Sequence, residues 1–204
     1  QKTYVRWKGT VSNLELGQVQ ADEIKVKTQM GVVWMALAIM VSTRLWLGGA
    51  VSPKRDKELL AALVAQVVRI ALCRPIVCAV DGLKAYLGVI QRAFRSPLRL
   101  GNQGRPRLIE WPDIGIVRVI KRRSAGQLTV ERQIYQGDPQ QVQTVILTSQ
   151  GGNGGINTAF IERLKLDVSE RWAVVINSNE SLRRQADEVF ARTFSVADAL
   201  QVIG

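Results

Sequence analysis

The first part of the chain alternates between apolar and polar residues in a way that predicts three β-strands. In residues 19–27 this alternation puts Asp22 on the face that carries the apolar side chains and Glu23 on the polar face. Two further apolar runs, residues 32–41 and 44–50, follow after short connections. Three strands in succession with short connections are typical of an antiparallel meander.

Helix and strand patterns alternate over the next part of the chain. The Ser-Pro pair at 52–53 is typical of the start of a helix, and apolar residues recur at helical spacing over 59–71. Residues 75–80 are continuously apolar, which indicates a short strand that is buried on both faces. A second helix is predicted over 83–95.

Turn residues and a second alternating pattern follow. Proline and glycine residues predict a loop over 96–115, and the alternating runs at 114–123 and 128–136 predict a β-hairpin. A later helix is predicted to begin near Asn157, which is a good N-cap residue. A last amphipathic helix is predicted over 179–202.

Taken in order, these elements predict an α/β fold. The predicted sheet is mixed: it combines the antiparallel meander with parallel strands, and helices flank it. The basic hairpin is expected to belong to an insertion at about 96–150. We expect the domain to span residues 19–172, with a connector at 1–18 and a C-terminal helix at 173–204.

The composition indicates a folded chain that binds anions. Of the 204 residues, 47% are apolar, and 28 Lys and Arg against 17 Asp and Glu give a net charge of +11. Such a chain is too apolar to be disordered. Its charge favours nucleic acid as a partner, with an anionic membrane surface as the less favoured alternative. The apolar stretch between Lys27 and Arg44 holds 16 uncharged residues. A membrane-spanning helix needs roughly 18 to 20, so we expect no membrane partner.

The absence of histidine removes several kinds of catalytic site. Ser-His-Asp and Cys-His nucleophile systems are excluded, and so are zinc sites that need imidazole. Cys73 and Cys78 are too few for a four-cysteine zinc cluster, and we interpret both as buried apolar residues. Unlinked thiols without a signal peptide favour a cytoplasmic protein. The start at Gln1 indicates a piece of a longer product.

Three carboxylates stand out by their positions. Asp22 lies on an apolar strand face, and Asp81 follows the buried strand at the end where α/β sheets bind ligands. Glu162 lies in the first turns of the helix that follows a glycine-rich loop. A buried carboxylate is unfavourable unless it is paired or binds a metal, so three converging carboxylates would form an oxygen-only site for two Mg²⁺ or Mn²⁺ ions. The alternative is that each is an ordinary capping or surface acid.

Six segments carry a family resemblance, and they follow one another in a fixed order. They are ADEIKVKT (21–28), VVWMALAIMVSTRLWLGG (32–49), SPKRD (52–56), DGLKAY (81–86), GRPRL (104–108) and INTAFIERL (156–164). In this order they resemble the catalytic domain of bacterial insertion-sequence transposases of the DDE type, which belong to the RNase H-like, or integrase, superfamily. The resemblance runs from residue 19 to about residue 164.

The resemblance implies an RNase H-like fold in which Asp22, Asp81 and Glu162 form the catalytic triad and hold two divalent ions. It implies that water nicks the transposon end and that the freed 3′-OH then attacks target DNA. The implied partners are double-stranded DNA, as transposon end and as target, and further copies of the chain on that DNA. The protein would then be associated with a prokaryotic nucleoid. The upstream DNA-binding region of such transposases is not in this sequence, so the chain resembles the catalytic core alone.

The chain departs from the pattern of these transposases at two single residues and in one short stretch. Asn and Arg are usual where this chain has Lys165 and Ser169, and a basic stretch is usual at 176–178. Positions three and seven after Glu162 lie on its own helix face, so the first two departures border the proposed site. The alternative is therefore a catalytically decayed or domesticated DNA-binding or assembly protein. A host RNase H-like nuclease is a third interpretation.

Basic residues concentrate in one segment. Residues 91–135 hold ten Arg and Lys and three acids, which is a net +7 of the chain's +11. Arg-rich loops and ribbons contact phosphates without reading sequence, although a solvated basic face is the alternative. The residues expected to contact DNA, including three near the proposed triad, are Lys84, Tyr86, Arg105, Arg107, Arg118, Lys121, Arg122, Arg123 and Lys165.

Overall fold

A six-stranded mixed sheet forms the centre of the fold, and helices cover both of its faces. The computed structural model describes residues 12–28, 31–98, 105–124 and 126–178, with the side chains of the last helix up to Ser169. The strands are β1 (Gly17–Thr28), β2 (Gly31–Met40), β3 (Trp46–Ser52), β4 (Ile76–Val80), β5 (Arg95–Leu98), β6 (Arg107–Glu110), β7 (Ile114–Ser124) and β8 (Gln127–Gln136). The helices are α1 (Lys57–Ile70), α2 (Ala85–Ala93), α3 (Pro139–Ser149) and α4 (Ala159–Ser178).

The order of strands across the main sheet is β3-β2-β1-β4-β7-β8. Strands β1, β2 and β3 pair antiparallel, which confirms the predicted meander. Strand β4 lies between β1 and β7 and is parallel to both, and β8 pairs antiparallel with β7. The structure thus confirms an α/β fold with a mixed sheet and flanking helices.

Each face of the sheet packs against two helices. On one face, α1 and α2 pack against alternate residues of β1 and β4, such as Val19 and Cys78. On the other face, α3 packs against β4 and β7 around Ala79, and α4 packs against β2 and β3 around Leu37. All five residues of β4 are buried, as its continuously apolar sequence predicts.

Helix α1 begins later than predicted. Ser52 is the last residue of β3, and the helix starts at Lys57. Pairing with β2 extends as far as Ser52 and keeps this residue in the strand. The Asp56 side chain is the actual N-cap, because it accepts a hydrogen bond from the Leu59 N–H at 3.0 Å.

The segment after α2 differs most from its prediction. The predicted loop over 96–115 contains a two-stranded antiparallel sheet made of β5 and β6. The first strand of the basic hairpin, β7, extends the main sheet as the parallel neighbour of β4. Helix α3 has no counterpart among the predicted elements. Pro139 is in its first turn, and Asp138 caps it by accepting from the Gln141 N–H at 2.9 Å.

The last described element is α4. It begins at Ala159, two residues after the predicted start near Asn157. The predicted connector up to residue 11 and the predicted helix over 179–202 lie outside the described residues. None of the helices in the described part of the chain combines the length and the apolar character needed to cross a membrane.

The two cysteines differ in their surroundings. Cys78 is buried in β4, and burial raises the pKa of its thiol to about 12. Cys73 is exposed, so the prediction that it is buried is wrong. Helix α1 ends at Ile70, which leaves Cys73 in the short connection to β4 rather than on the apolar face of the helix.

Candidate metal centre

Asp22 and Asp81 lie side by side at the place where β4 ends. Strands β1 and β4 are parallel, with Ala21 paired to Val80, and the next residue of each segment is an aspartate. Strand β4 ends at Val80, whereas β1 continues to Thr28. The parallel register therefore brings together two of the three carboxylates that the sequence singles out.

Glu23 joins these two aspartates. Carboxylate oxygens of Asp22, Glu23 and Asp81 lie within 4.8 Å of one another. Glu23 is 5% exposed, so the face of β1 that alternation predicts to be polar is covered at this position. In the sequence, the feature that marks Glu23 is its position next to Asp22. The strand that carries both residues is covered by helices on both of its faces.

Arg55 links Glu23 to Asp81. Its Nη2 atom donates to Glu23 Oε2 at 2.9 Å and to Asp81 Oδ2 at 3.3 Å, and its guanidinium group lies 5.1 Å from the centre of the Trp34 ring. Burial raises the pKa of Glu23, and the hydrogen bond from Arg55 only partly opposes this rise. Asp81 Oδ1 accepts from the Leu83 N–H at 2.9 Å. Arg55 was not predicted as a site residue, although it lies within the SPKRD segment.

Lys165 of α4 contacts the cluster from the other face of the sheet. Its Nζ atom lies 2.5 Å from Asp22 Oδ2, and Asp22 Oδ1 accepts from the Glu23 N–H at 2.7 Å. Burial raises the pKa of Asp22 by more than the hydrogen bond and the charge of Lys165 lower it. The lysine that was expected to contact DNA is thus bound to a proposed metal ligand.

Glu162 has different partners. Lys121 of β7 pairs with its carboxylate, and Thr158 Oγ1 donates to Glu162 Oε1 at 2.5 Å. Burial favours a raised pKa for Glu162, but the hydrogen bonds from Lys121 and Thr158 outweigh it and lower the pKa. Lys165 also contributes to that lowering, so one lysine acts on both Asp22 and Glu162. The structure does not place Glu162 in the group of converging oxygens.

Tyr86 lies beneath the cluster, on helix α2. It is 0% exposed and packs in the core, so the prediction that it contacts DNA is wrong. Tyr86 Oη and Glu23 Oε1 are both buried without a partner at hydrogen-bond distance. Burial raises the pKa of Tyr86 well above its usual value, and the nearby carboxylates, Glu23 first, raise it further. The hydroxyl therefore faces the carboxylate cluster.

The cluster suits a hard divalent cation. Carboxylate oxygens are the ligands that Mg²⁺ and Mn²⁺ prefer. Oxygens on opposite sides of one ion are about 4.2 Å apart for Mg²⁺, from bond lengths of about 2.1 Å. The spacing within the cluster allows such an arrangement with small side-chain movements. Glu23 Oε1 is buried beside the Tyr86 hydroxyl and makes no hydrogen bond of ordinary geometry, so Asp22, Glu23 and Asp81 fit a metal ion.

The other residues expected to contact DNA are exposed, apart from Arg118, which is half-buried. Lys84, Arg105, Arg107, Arg122 and Arg123 are exposed. Arg118 is half-buried and donates from Nη2 to the Gly82 carbonyl at 2.8 Å, so it holds the turn after Asp81. Lys121 is exposed at the point where the β7–β8 hairpin meets Glu162.

No protein-family model and no curated protein matches this chain. The arrangement of the side chains is therefore the guide to function, and the group formed by Asp22, Glu23 and Asp81 at the end of β4 is the centre of that arrangement.

Proposed function

We propose that this chain is the catalytic core of a metal-dependent DNA transposase with an RNase H-like fold. The observation that carries the proposal is the convergence of Asp22, Glu23 and Asp81 beside the end of the central parallel strand. The strand order β3-β2-β1-β4-β7 around this point is compatible with an RNase H-like sheet. The six sequence segments that resemble DDE transposases include each proposed ligand.

The proposed reaction is phosphoryl transfer on DNA. Asp22 and Asp81 would hold divalent ions with Glu162 from α4, and Glu23 is a further carboxylate within reach. The bound ions would activate a hydroxyl group as nucleophile and stabilise the leaving oxygen. Arg55 fixes the carboxylates of Glu23 and Asp81 through its two hydrogen bonds.

The β7–β8 hairpin is the proposed path for DNA. Arg122 and Arg123 are exposed on β7 directly after Lys121, which contacts Glu162. The basic ribbon therefore begins at the proposed site and leads away from it. Exposed arginines on such a ribbon bind phosphates with an affinity that falls as salt rises. Arg122 is also paired with Glu131 at 3.4 Å across the hairpin, an exposed pair that a phosphate can replace.

A second function has specific support from two ion pairs. Lys165 is bound to Asp22, and Lys121 is bound to Glu162, so cations already neutralise two members of the proposed triad. A catalytically decayed DNA-binding or assembly protein would keep the basic hairpin and tolerate such pairs. It would bind DNA in a salt-sensitive way without cleaving it.

Nicking of supercoiled plasmid in the presence of Mn²⁺ or Mg²⁺ tests the proposal. We expect nicking by the native chain and none by Asp81→Asn, because asparagine removes the charge that binds metal but keeps the acceptor for the Leu83 N–H. Asp167→Asn is the matched control, since Asp167 is exposed on α4. Nicking that survives in Asp81→Asn would refute the metal-site assignment. If the native chain and both variants bind DNA and none of them nicks it, the second function is favoured.

A further inference from the structure

Gln20 is a polar residue that is completely buried in the sheet. It lies on β1 two residues before Asp22, on the same face of the strand, and it is 0% exposed. Its side-chain amide makes four hydrogen bonds, all of them to residues 157–161 at the start of α4. An amide side chain has two donor and two acceptor positions, so these four bonds satisfy it.

Two of these bonds hold N–H groups in the first turn of α4. Gln20 Oε1 accepts from the N–H groups of Phe160 and Ile161, each at 3.0 Å. Gln20 Nε2 donates to the Asn157 carbonyl at 2.9 Å and to Asn157 Oδ1 at 3.2 Å. The first N–H groups of a helix have no partner within the helix, and here a distant strand residue supplies the partner.

We propose that Gln20 is a positioning residue that sets the place of Glu162 relative to Asp22. Asp22 follows Gln20 by two residues on the strand, and Glu162 directly follows Ile161, whose N–H Gln20 holds. Hydrogen bonds weaken steeply when their geometry changes, whereas the apolar packing of α4 is non-directional. The four bonds therefore fix the position of α4 along β1. The inference rests on the proposed function, in which Glu162 and Asp22 act together.

Gln18 offers a matched comparison on the same strand face. It lies two residues before Gln20 and is also 0% exposed. Its Oε1 accepts from Gln150 Nε2 at 2.7 Å, and its N–H donates to Ser149 Oγ at 3.0 Å. These partners belong to the end of α3. Gln18→Met removes the bond to Gln150 and keeps the backbone bond to Ser149. Gln150 Oε1 also accepts from Asn157 Nδ2 at 3.2 Å, but the bonds from the Phe160 and Ile161 N–H groups to Gln20 involve neither Gln18 nor Gln150.

Amide hydrogen exchange tests the contact between Gln20 and α4 without any activity. Gln20→Met keeps the length of the side chain but removes all four hydrogen bonds. We expect exchange over residues 158–164 to become at least about tenfold faster, because the start of the helix opens locally. In Gln18→Met the same residues should exchange at the native rate, and the faster exchange should be confined to the end of α3.

The nicking assay tests the consequence for the reaction. We expect Gln20→Met to lower kcat about 10- to 100-fold, the effect of a misplacement of about 1 Å, while KM for DNA stays within about twofold. Gln18→Met should retain nearly native kcat.

Two results would overturn the inference. One is native hydrogen exchange at the start of α4 in Gln20→Met, and the other is an equal loss of kcat in Gln18→Met and Gln20→Met. If the native chain does not nick DNA, the proposed function fails, and hydrogen exchange still decides whether Gln20 holds α4 against β1. If nicking depends on Asp81 but not on Gln20, the proposed function stands and this inference fails.

Discussion

Replacement of Lys165 by asparagine is expected to tighten the binding of a divalent ion at the carboxylate cluster. Lys165 Nζ lies 2.5 Å from Asp22 Oδ2, and the two side chains are 23% and 11% exposed. A metal ion bound at the cluster would therefore compete with this lysine for the same carboxylate. Asparagine is also the residue that the resemblance to DDE transposases leads us to expect at this position.

The magnitude follows from the ion pair that the metal must break. A lysine that stayed about 4 Å from a divalent ion would be repelled by roughly 8 kcal/mol at an effective dielectric constant of about 20. The lysine therefore moves away, and the loss of its hydrogen bond to Asp22 is the relevant term. A hydrogen bond between charged groups contributes about 1.5–3 kcal/mol. Because 1.4 kcal/mol is a factor of ten, Lys165→Asn should lower the Kd about 10- to 100-fold.

Isothermal titration of the purified chain with Mn²⁺ at pH 8 measures this change. The pH matters because the loss of Lys165 raises the pKa of Asp22 further, and a protonated carboxyl group binds no metal. Lys165→Arg is the control, since it keeps a cation near Asp22 and should keep the Kd close to that of the native chain. A Kd of Lys165→Asn within twofold of the native value would refute the reasoning, and so would an equal gain in Lys165→Arg.

Three further predictions concern the basic hairpin, the thiols and acid stability. Replacement of Arg122 and Arg123 by glutamine should reduce the slope of log K against log salt for duplex DNA by about 1.8, because two phosphate contacts are lost. Cys73 should react at once with a thiol reagent in the native chain, and Cys78 only after denaturation, since it is buried with a pKa of about 12. The pKa of Asp22 is raised above 3.8, so its contribution to the free energy of unfolding is lost as pH rises from 3.8 through the raised pKa. Asp22→Asn should make that decline, measured by urea unfolding, less steep.

Each of these predictions has a control. Arg69 and Arg74 are exposed near the opposite end of β4 from Asp81, so their replacement by glutamine should leave the salt slope unchanged. An equal effect there would mean that the hairpin is not the DNA path. Cys73→Ser should abolish the fast thiol reaction. If the free energy of unfolding of Asp22→Asn depends on pH as steeply as that of the native chain, burial of this carboxylate does not govern the change of stability with pH.

The sequence predicts where the strands lie along the chain better than it predicts which strands pair with one another in the sheet. Alternation marks β1, and a continuous apolar run marks β4, because burial on one or two faces selects these patterns directly. The pattern of β7 and β8 predicts a hairpin, but it contains no information that β7 is parallel to β4. That pairing depends on contacts between distant segments, so the sequence pattern alone does not show that the hairpin extends the main sheet.

The candidate site shows the same limit of prediction from sequence patterns. Asp22 and Asp81 were identified because an acid stands among apolar residues or at the end of a buried strand. Glu23 was missed because alternation assumes that one strand face is exposed, whereas helices cover both faces of β1 at this point. Tyr86 was misassigned because it is close to Asp81 in sequence. The helical spacing of Tyr86, Val89 and Ile90 already indicates a buried stripe on α2.

The cationic side chains around the cluster would behave differently in an active core and in a decayed one. Each carboxylate of the proposed site has a cationic partner: Lys165 binds Asp22, Arg55 binds Glu23 and Asp81, and Lys121 binds Glu162. Metal binding would therefore be an exchange of partners, in which divalent ions replace the cationic side chains and the released lysines become available for phosphate. If that exchange occurs, DNA and Mn²⁺ should each increase the affinity of the chain for the other. In a decayed protein the lysines stay on the carboxylates, and the affinity for DNA should not depend on Mn²⁺.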